Sequence, residues 1–256
     1  MGFLDVIDVS HIYFSKESTT TALLDVSFTV DKGEFISLLG PSGCGKTTLL
    51  SIISGLIEPT FGTITLENER VGTNNRHIGY MLQQDYLFPW KTIEENILLG
   101  LKLMSRLDQQ TRKTALALLE KMGLYNVEDK YPKELSGGMR QRVALVRTLA
   151  TEPKVLLLDE PFSALDFQTK LKLEDLVFNT LKQFNKTAIL VTHDIGEAIA
   201  MSDRIYLFSK RPGTIVHEFT VPDELRHLEP FQARNHPTYN DLFQIIWEEL
   251  NELEKN

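Results

Sequence analysis

Gly40-Pro41-Ser42-Gly43-Cys44-Gly45-Lys46-Thr47-Thr48 is the stretch of this chain most clearly built for chemistry. Its spacing fits G-x-x-x-x-G-K-[ST] without a mismatch. Glycines let a backbone wrap closely around a polyphosphate with its N–H groups turned inward. Lys46 is placed to reach the outer phosphates, and the Thr47 hydroxyl to hold Mg²⁺. The apolar run Phe35-Ile36-Ser37-Leu38-Leu39 before the loop reads as a buried strand. Thr48-Leu49-Leu50-Ser51-Ile52-Ile53 after it reads as the first turns of a helix, whose N-terminus adds partial positive charge. A chance glycine-rich turn would lack both flanks.

Two further constellations could act with this loop. Asp159 and Glu160 end the apolar run Val155-Leu156-Leu157-Leu158, and Pro161 stops it. Beside a phosphate loop, Asp159 would complete the Mg²⁺ site. Glu160 would polarise an attacking water. Leu135-Ser136-Gly137-Gly138 precedes a helix rich in arginine (Arg140, Arg142, Arg147). Small residues opening a helix make a second anion site. The alternative is a flexible hinge with a solvated basic face.

The elements that must position these groups follow from pattern. Leu4 to Val9 and Leu24 to Val30 read as an antiparallel pair, with a turn at Asp31-Lys32-Gly33-Glu34. Short strands are expected at Gly62 to Leu66 and His77 to Leu82. From Thr92 to about Thr151 the periodicity is helical. Thr92 would cap a first helix, Asp108 to Met122 would form a second ending at Gly123, and a third would start near Gly137. Val155 to Asp159 then reads as a central parallel strand. It is followed by a helix over Gln168 to Phe184, a strand over Ala188 to Thr192, a helix–strand pair ending at Phe208 and a strand over Ile215 to Val221. Pro222 to Pro237 reads as polar and irregular. Tyr239, Leu242, Phe243, Ile246, Leu250 and Leu253 fall on one face of a final helix, which reads as core-packing rather than partner-binding.

Composition narrows the classes. The 256 residues allow one large domain or a domain with a subdomain. A net charge of −8 argues against nucleic acid as a partner. One cysteine allows no internal disulfide and suits a reducing compartment. No apolar run approaches the roughly 18 residues that span a bilayer. Met1-Gly2-Phe3-Leu4-Asp5 lacks the basic and apolar segments of a signal peptide.

Taken in order, residues 40–48, Gln83, Leu135-Ser136-Gly137-Gly138 with Met139-Arg140-Gln141-Arg142, Asp159-Glu160, Ser163-Ala164-Leu165-Asp166 and His193 resemble the nucleotide-binding subunit of ATP-binding cassette (ABC) transporters. The resemblance runs to about Val221. It implies an α/β fold: a P-loop NTPase (RecA-like) core with an antiparallel β subdomain and an inserted α-helical subdomain. The core would occupy 1–91 and 152–221, the helical part 92–151, and a tail with an amphipathic helix 222–256.

The same resemblance implies ATP and Mg²⁺ as cofactors. All of residues 40–48 would cradle the phosphates, with Lys46 also catalytic. Tyr13, with Phe14 competing, would stack on adenine. Gln83, with Gln84 leaving the register open, would join Thr47 and Asp159 on the metal and sense a membrane subunit. Glu160 and His193 would act at the γ-phosphate. Ser136, Gly137 and Gly138 would reach the γ-phosphate bound to the opposite protomer, and Asp166 would link the two sites. Met139 departs from the glutamine common after this signature. Two composite sites require a two-fold pair of chains. Cys44, inside the loop, is either a small filler or a thiol whose modification would block ATP.

Leu87-Phe88-Pro89-Trp90 and Ser209-Lys210-Arg211-Pro212-Gly213-Thr214-Ile215 resemble segments of the nitrate/sulfonate/taurine importer group. That resemblance implies an importer ATPase at the cytoplasmic face of the cell membrane. It would act as a homodimer beneath two copies of a permease, served by an extracytoplasmic solute-binding protein. Apolar residues near Gln83 would form the groove for a permease helix. The competing reading is a soluble cassette ATPase of the iron–sulfur-assembly type, with a cytosolic protein partner. A chromosome-organising ATPase would need a long coiled coil between loop and signature, and none is present.

Overall fold

The computed structural model describes residues 2–16, 18–73, 75–163 and 165–255. Met1 and Ala164, both named above, lie outside the described residues. Strands β1 (Leu4–Phe14) and β2 (Thr19–Val30) pair antiparallel. They are followed by β3 (Phe35–Leu39), α1 (Lys46–Ile53), β4 (Phe61–Leu66), β5 (Glu69–Arg70) and β6 (Ile78–Met81). Helices α2 (Ile93–Leu103), α3 (Gln109–Lys121) and α4 (Gly137–Leu149) come next, then β7 (Val155–Asp159), α5 (Phe167–Gln183), β8 (Thr187–Thr192), α6 (Ile195–Met201) and β9 (Arg204–Phe208). The chain closes with β10 (Ile215–Thr220), α7 (Asp223–Arg226), α8 (Pro230–Ala233) and α9 (Pro237–Lys255).

Two sheets result. One has the order β2-β1-β4-β5 and is antiparallel. The other has the order β10-β9-β3-β8-β7-β6, parallel except for β10. Every residue of β3, β7 and β8 is buried, as a parallel sheet covered on both faces requires. On one face, Leu49, Leu50, Ile52 and Ile53 of α1 join Leu38, Leu157 and Ile189 of the parallel sheet to Val6, Val26 and Ile64 of the antiparallel one. Each such buried side chain contributes about 1.5–3 kcal/mol. On the other face, α2 to α5 pack over Leu156, Leu158 and Leu190.

Local sequence sets the helix starts. Thr92 and Glu95 form a capping box on α2, and Asp108 with Thr111 forms one on α3. Gly123, at φ +68°, follows α3 as expected. No strand interrupts residues 92–151. The 222–237 segment differs from expectation: it folds into two single-turn helices. They form because they dock, with the Phe231 N–H donating to Asp175 and Asn179 donating to Glu229. On α9, Tyr239, Leu242 and Ile246 are buried against α6 and β9, as the stripe predicted.

Candidate nucleotide site

The loop 40–48 joins the C-terminal end of β3 to α1. Its neighbours in the sheet are β8 on one side and β9 on the other. Asp159 ends β7, Glu160 follows it, and His193 follows β8. The chemistry thus gathers at the carboxyl ends of adjacent parallel strands, where open α/β sheets bind ligands. A cavity of about 370 Å³ opens there. Its walls include Tyr13, Ser42, Gly43, Gly45, Lys46, Thr47, Thr48, Gln83, Glu160 and Arg211.

Gly45 caps α1 at φ +114°, and a Cβ there would stand 2.7 Å from the Ala22 carbonyl. Only glycine fits, and the first N–H groups of α1 stay free for an anion. Lys46 is buried and folds back on the loop, donating to the Gly40 and Pro41 carbonyls at 2.7 and 2.9 Å. Gly40, Pro41 and Cys44 lie behind the cavity wall rather than on it.

Thr47 Oγ1 donates to Asp159 Oδ1 at 3.2 Å, and Tyr80 Oη donates to Asp159 Oδ2 at 3.2 Å. Burial pushes the Asp159 carboxyl up, against the pull of those two hydroxyls. Burial and Asp159 together push the Tyr80 phenol up. Gln83 Nε2 donates to Glu160 Oε2 at 3.1 Å, and His193 Nδ1 lies 3.4 Å from Glu160 Oε1. Gln83, not Gln84, reaches the cavity. Thr47, Asp159 and Gln83 offer only hard oxygen donors. Among the described residues no cluster of three or more His, Cys, Asp or Glu could hold a metal alone. That set fits Mg²⁺, which binds through one or two carboxylates together with phosphate oxygens.

Tyr13 lies at the cavity mouth with its hydroxyl 3.2 Å from Thr48 Oγ1, whereas Phe14 is exposed away from it. Cys44 is 1% exposed, with Sγ 3.5 Å from Lys46 Nζ, so the thiol is closed to reagents in this state.

Ser136, Gly137 and Gly138 take no part in the cavity walls. Ser136 caps α4, its Oγ accepting from the Met139 N–H, and both Ser136 and Gly137 are exposed. Asp166 caps α5, accepting from the Thr169 N–H, and the Thr169 contacts hold its carboxyl low. The arginines of α4 are not a solvated basic face. Arg140 pairs with Asp85 at 2.9 Å, Arg147 donates to the Asp85 and Tyr86 carbonyls, and Arg142 donates to the Met122 carbonyl. At α4 only the N-terminus, capped by Ser136, is left to face an anion, while Arg140 and Arg147 clamp the 85–86 loop. Two residues escaped sequence reasoning. Tyr80 reads as a plain strand residue, and Arg211 stood in a turn noted for its similarity alone.

A polyphosphate loop after β3 with an acid pair at the end of β7, one strand beyond its neighbour β8, defines a P-loop ATPase. The ABC transporter family matches residues 23–163, and the chain belongs to it. It is similar to the uncharacterized ABC transporter ATP-binding protein YtlC of Bacillus subtilis, 64% identical over 100% of this chain and 98% of that one. The nitrate import ATP-binding protein NrtD of Synechocystis is 41% identical over 85% of this chain and 82% of its own. The taurine import ATP-binding protein TauB of Roseobacter denitrificans is 38% identical over 91% and 89%. Among solved structures, the dimeric post-hydrolysis state of an ATP-binding cassette bound to ADP and Pi aligns with a TM-score of 0.76 and 33% identity. The alignment covers 86% of this chain and 99% of that one. The chain is thus an ABC transporter ATP-binding subunit, an ATPase, and its relatives include nitrate, aliphatic sulfonate and taurine import ATP-binding proteins.

Proposed function

We propose that this subunit powers uptake of a small solute, of the nitrate, sulfonate or taurine kind, through a separate permease. It works as an ATP-sandwich homodimer at the cytoplasmic face of the membrane, with residues 92–151 as its signature-bearing helical part. An extracytoplasmic solute-binding protein supplies the permease. The names of the related import proteins support this direction of transport.

The observation that carries the reading is an exposed aromatic platform in the same loop as Gln83, whose amide reaches Glu160. Trp90 is 70% exposed and packs edge-on against Phe88. Buried Asn96 builds the turn beneath it, accepting from the Phe88 N–H and donating to the Phe88, Lys91 and Thr92 carbonyls. Upstream in the same loop, the Gln83 carbonyl accepts from Gln141 of α4, and its amide reaches Glu160. A permease helix pressing on Trp90 would therefore move Gln83 and α4 together.

The chemistry is in-line attack of water on the γ-phosphate. Glu160 takes the water proton, oriented by Gln83 and His193. Lys46 and the α1 N-terminus offset developing charge. Mg²⁺, held by Thr47, Asp159 and Gln83, would supply further charge stabilisation at the phosphate oxygens. The exposed N-terminus of α4 in a second chain closes the site.

The test is a pull-down from detergent-solubilised membranes of the source organism. The bait is the Glu160→Gln chain loaded with ATP. A permease in the eluate is the expected result. A soluble partner without any membrane protein would overturn the transport reading and favour a cytosolic cassette ATPase.

A further inference from the structure

The turn between β9 and β10 forms part of the frame of the phosphate loop. Arg211 Nε and Nη2 both donate to the Gly43 carbonyl, at 3.1 and 2.8 Å. The same turn is laced to β2: the Gly213 N–H donates to the Ala22 carbonyl, and the Leu24 N–H to the Gly213 carbonyl. Its backbone lies directly against the loop, since a Cβ on Gly213 would stand 2.1 Å from the Cys44 carbonyl. Arg211 also lines the nucleotide cavity, beside Tyr13, Thr20 and Gly43. Among the described residues no carboxylate pairs with it at salt-bridge distance, so its polar partner in this structure is the loop itself.

A loop that offers N–H groups to phosphates must turn carbonyls away from them. In a planar trans peptide, fixing the Gly43 carbonyl also fixes the Cys44 N–H in the opposite direction. Gly43 sits at φ +77° and carries no side chain to resist rotation of that peptide. A rotated peptide would aim a carbonyl dipole at the phosphates instead of an N–H.

We propose that Arg211 is a positioning residue for ATP binding: its two-pronged hold on the Gly43 carbonyl keeps the phosphate loop in its anion-accepting shape. The inference rests on residues 40–48 being the ATP site. Charge-assisted bonds of this kind are the stronger class, and a two-pronged geometry adds direction to strength. Because ground state and transition state share the loop contacts, the loss should fall on KM rather than kcat.

The experiment measures ATPase kinetics and equilibrium binding of a fluorescent ATP analogue for the wild type, Arg211→Ala and Arg211→Lys. Arg211→Ala should raise KM and the analogue's Kd about tenfold, with kcat changed less than about twofold, and Arg211→Lys should recover part of the affinity. KM within about twofold of wild type, or a fall in kcat at unchanged KM, would overturn the proposal. Should Arg211→Ala prove unfolded by thermal melting, Arg211→Gln, which keeps one donor, carries the same measurement and the same criteria. Absence of analogue binding to the wild type would instead overturn the phosphate-loop assignment beneath it.

Discussion

Glu160 is held by its neighbours rather than by its own rotamer freedom. Its backbone lies at φ +46°, its N–H donates to the Val191 carbonyl, and its carboxylate faces Gln83 and His193. A general base contributes about 10²–10⁴-fold, so Glu160→Gln should lower kcat by at least about 10² while ATP affinity holds. Phosphate-release and nucleotide-binding assays check both halves. Cys44 gives a contrasting expectation. With the thiol buried behind the loop, a maleimide should label the native chain at least about tenfold more slowly than the urea-unfolded chain. Equal rates would mean that the loop opens readily. At this scale the sequence disclosed the loop and the acid pair because their spacing is local. Tyr80 and Arg211 were hidden because each matters only through a partner 79 or 168 residues away.

Element boundaries were legible where capping chemistry is local and obscure where tertiary contact decides. Thr92, Asp108 and Gly123 marked helix limits in advance. The first two strands run longer than their alternation suggested. Asp8 and Asp25 take positive φ, and the register between the strands shifts at Val6/Val9, Val9/His11 and His11/Ile12. Such bulges flip side chains between faces and break the period-two pattern. The C-terminal helices are tied down through a buried ion contact. Arg234 Nη1 lies 2.6 Å from Glu174 Oε2, off-line for a hydrogen bond, and Glu174 on α5 is fully buried. Burial pushes the Glu174 carboxyl up to about 7, with Arg234 opposing. Between its ordinary value and about 7, the folded chain holds a proton that the unfolded chain releases. Stability from this group therefore falls as pH rises through that window, by at most about 1.4 kcal/mol per pH unit. Arg234→Ala removes the opposing cation and extends the fall to higher pH. Urea unfolding at about pH 6, 7 and 8 should give a steeper loss for the variant. Parallel pH profiles would show that Arg234 does not set the Glu174 proton.

Across the whole molecule, the proposed composite site would draw its two halves from different chains, because within one chain they stand apart. The cavity is walled by the phosphate loop and Glu160, while Ser136 and Gly137 stand exposed outside its walls. The order of motifs was readable from residue types, but their separation was not, because it depends on how α4 packs over the parallel sheet. The exposed Trp90 platform belongs to the same scale. Trp90→Ala should lower solute uptake by reconstituted transporter severalfold while leaving the ATPase rate of the free subunit within about twofold, since the exposed ring packs on Phe88 and not in the nucleotide cavity. Unchanged uptake would remove the platform from permease docking.

The most direct test of the composite site is the mass of the Glu160→Gln chain in solution with and without ATP. The single chain has a mass of 29.2 kDa. Light scattering should report that mass without nucleotide and twice that mass with ATP. Adding Ser136→Arg to the same chain should keep it single. A Glu160→Gln chain that binds ATP yet stays single at every concentration would contradict the account.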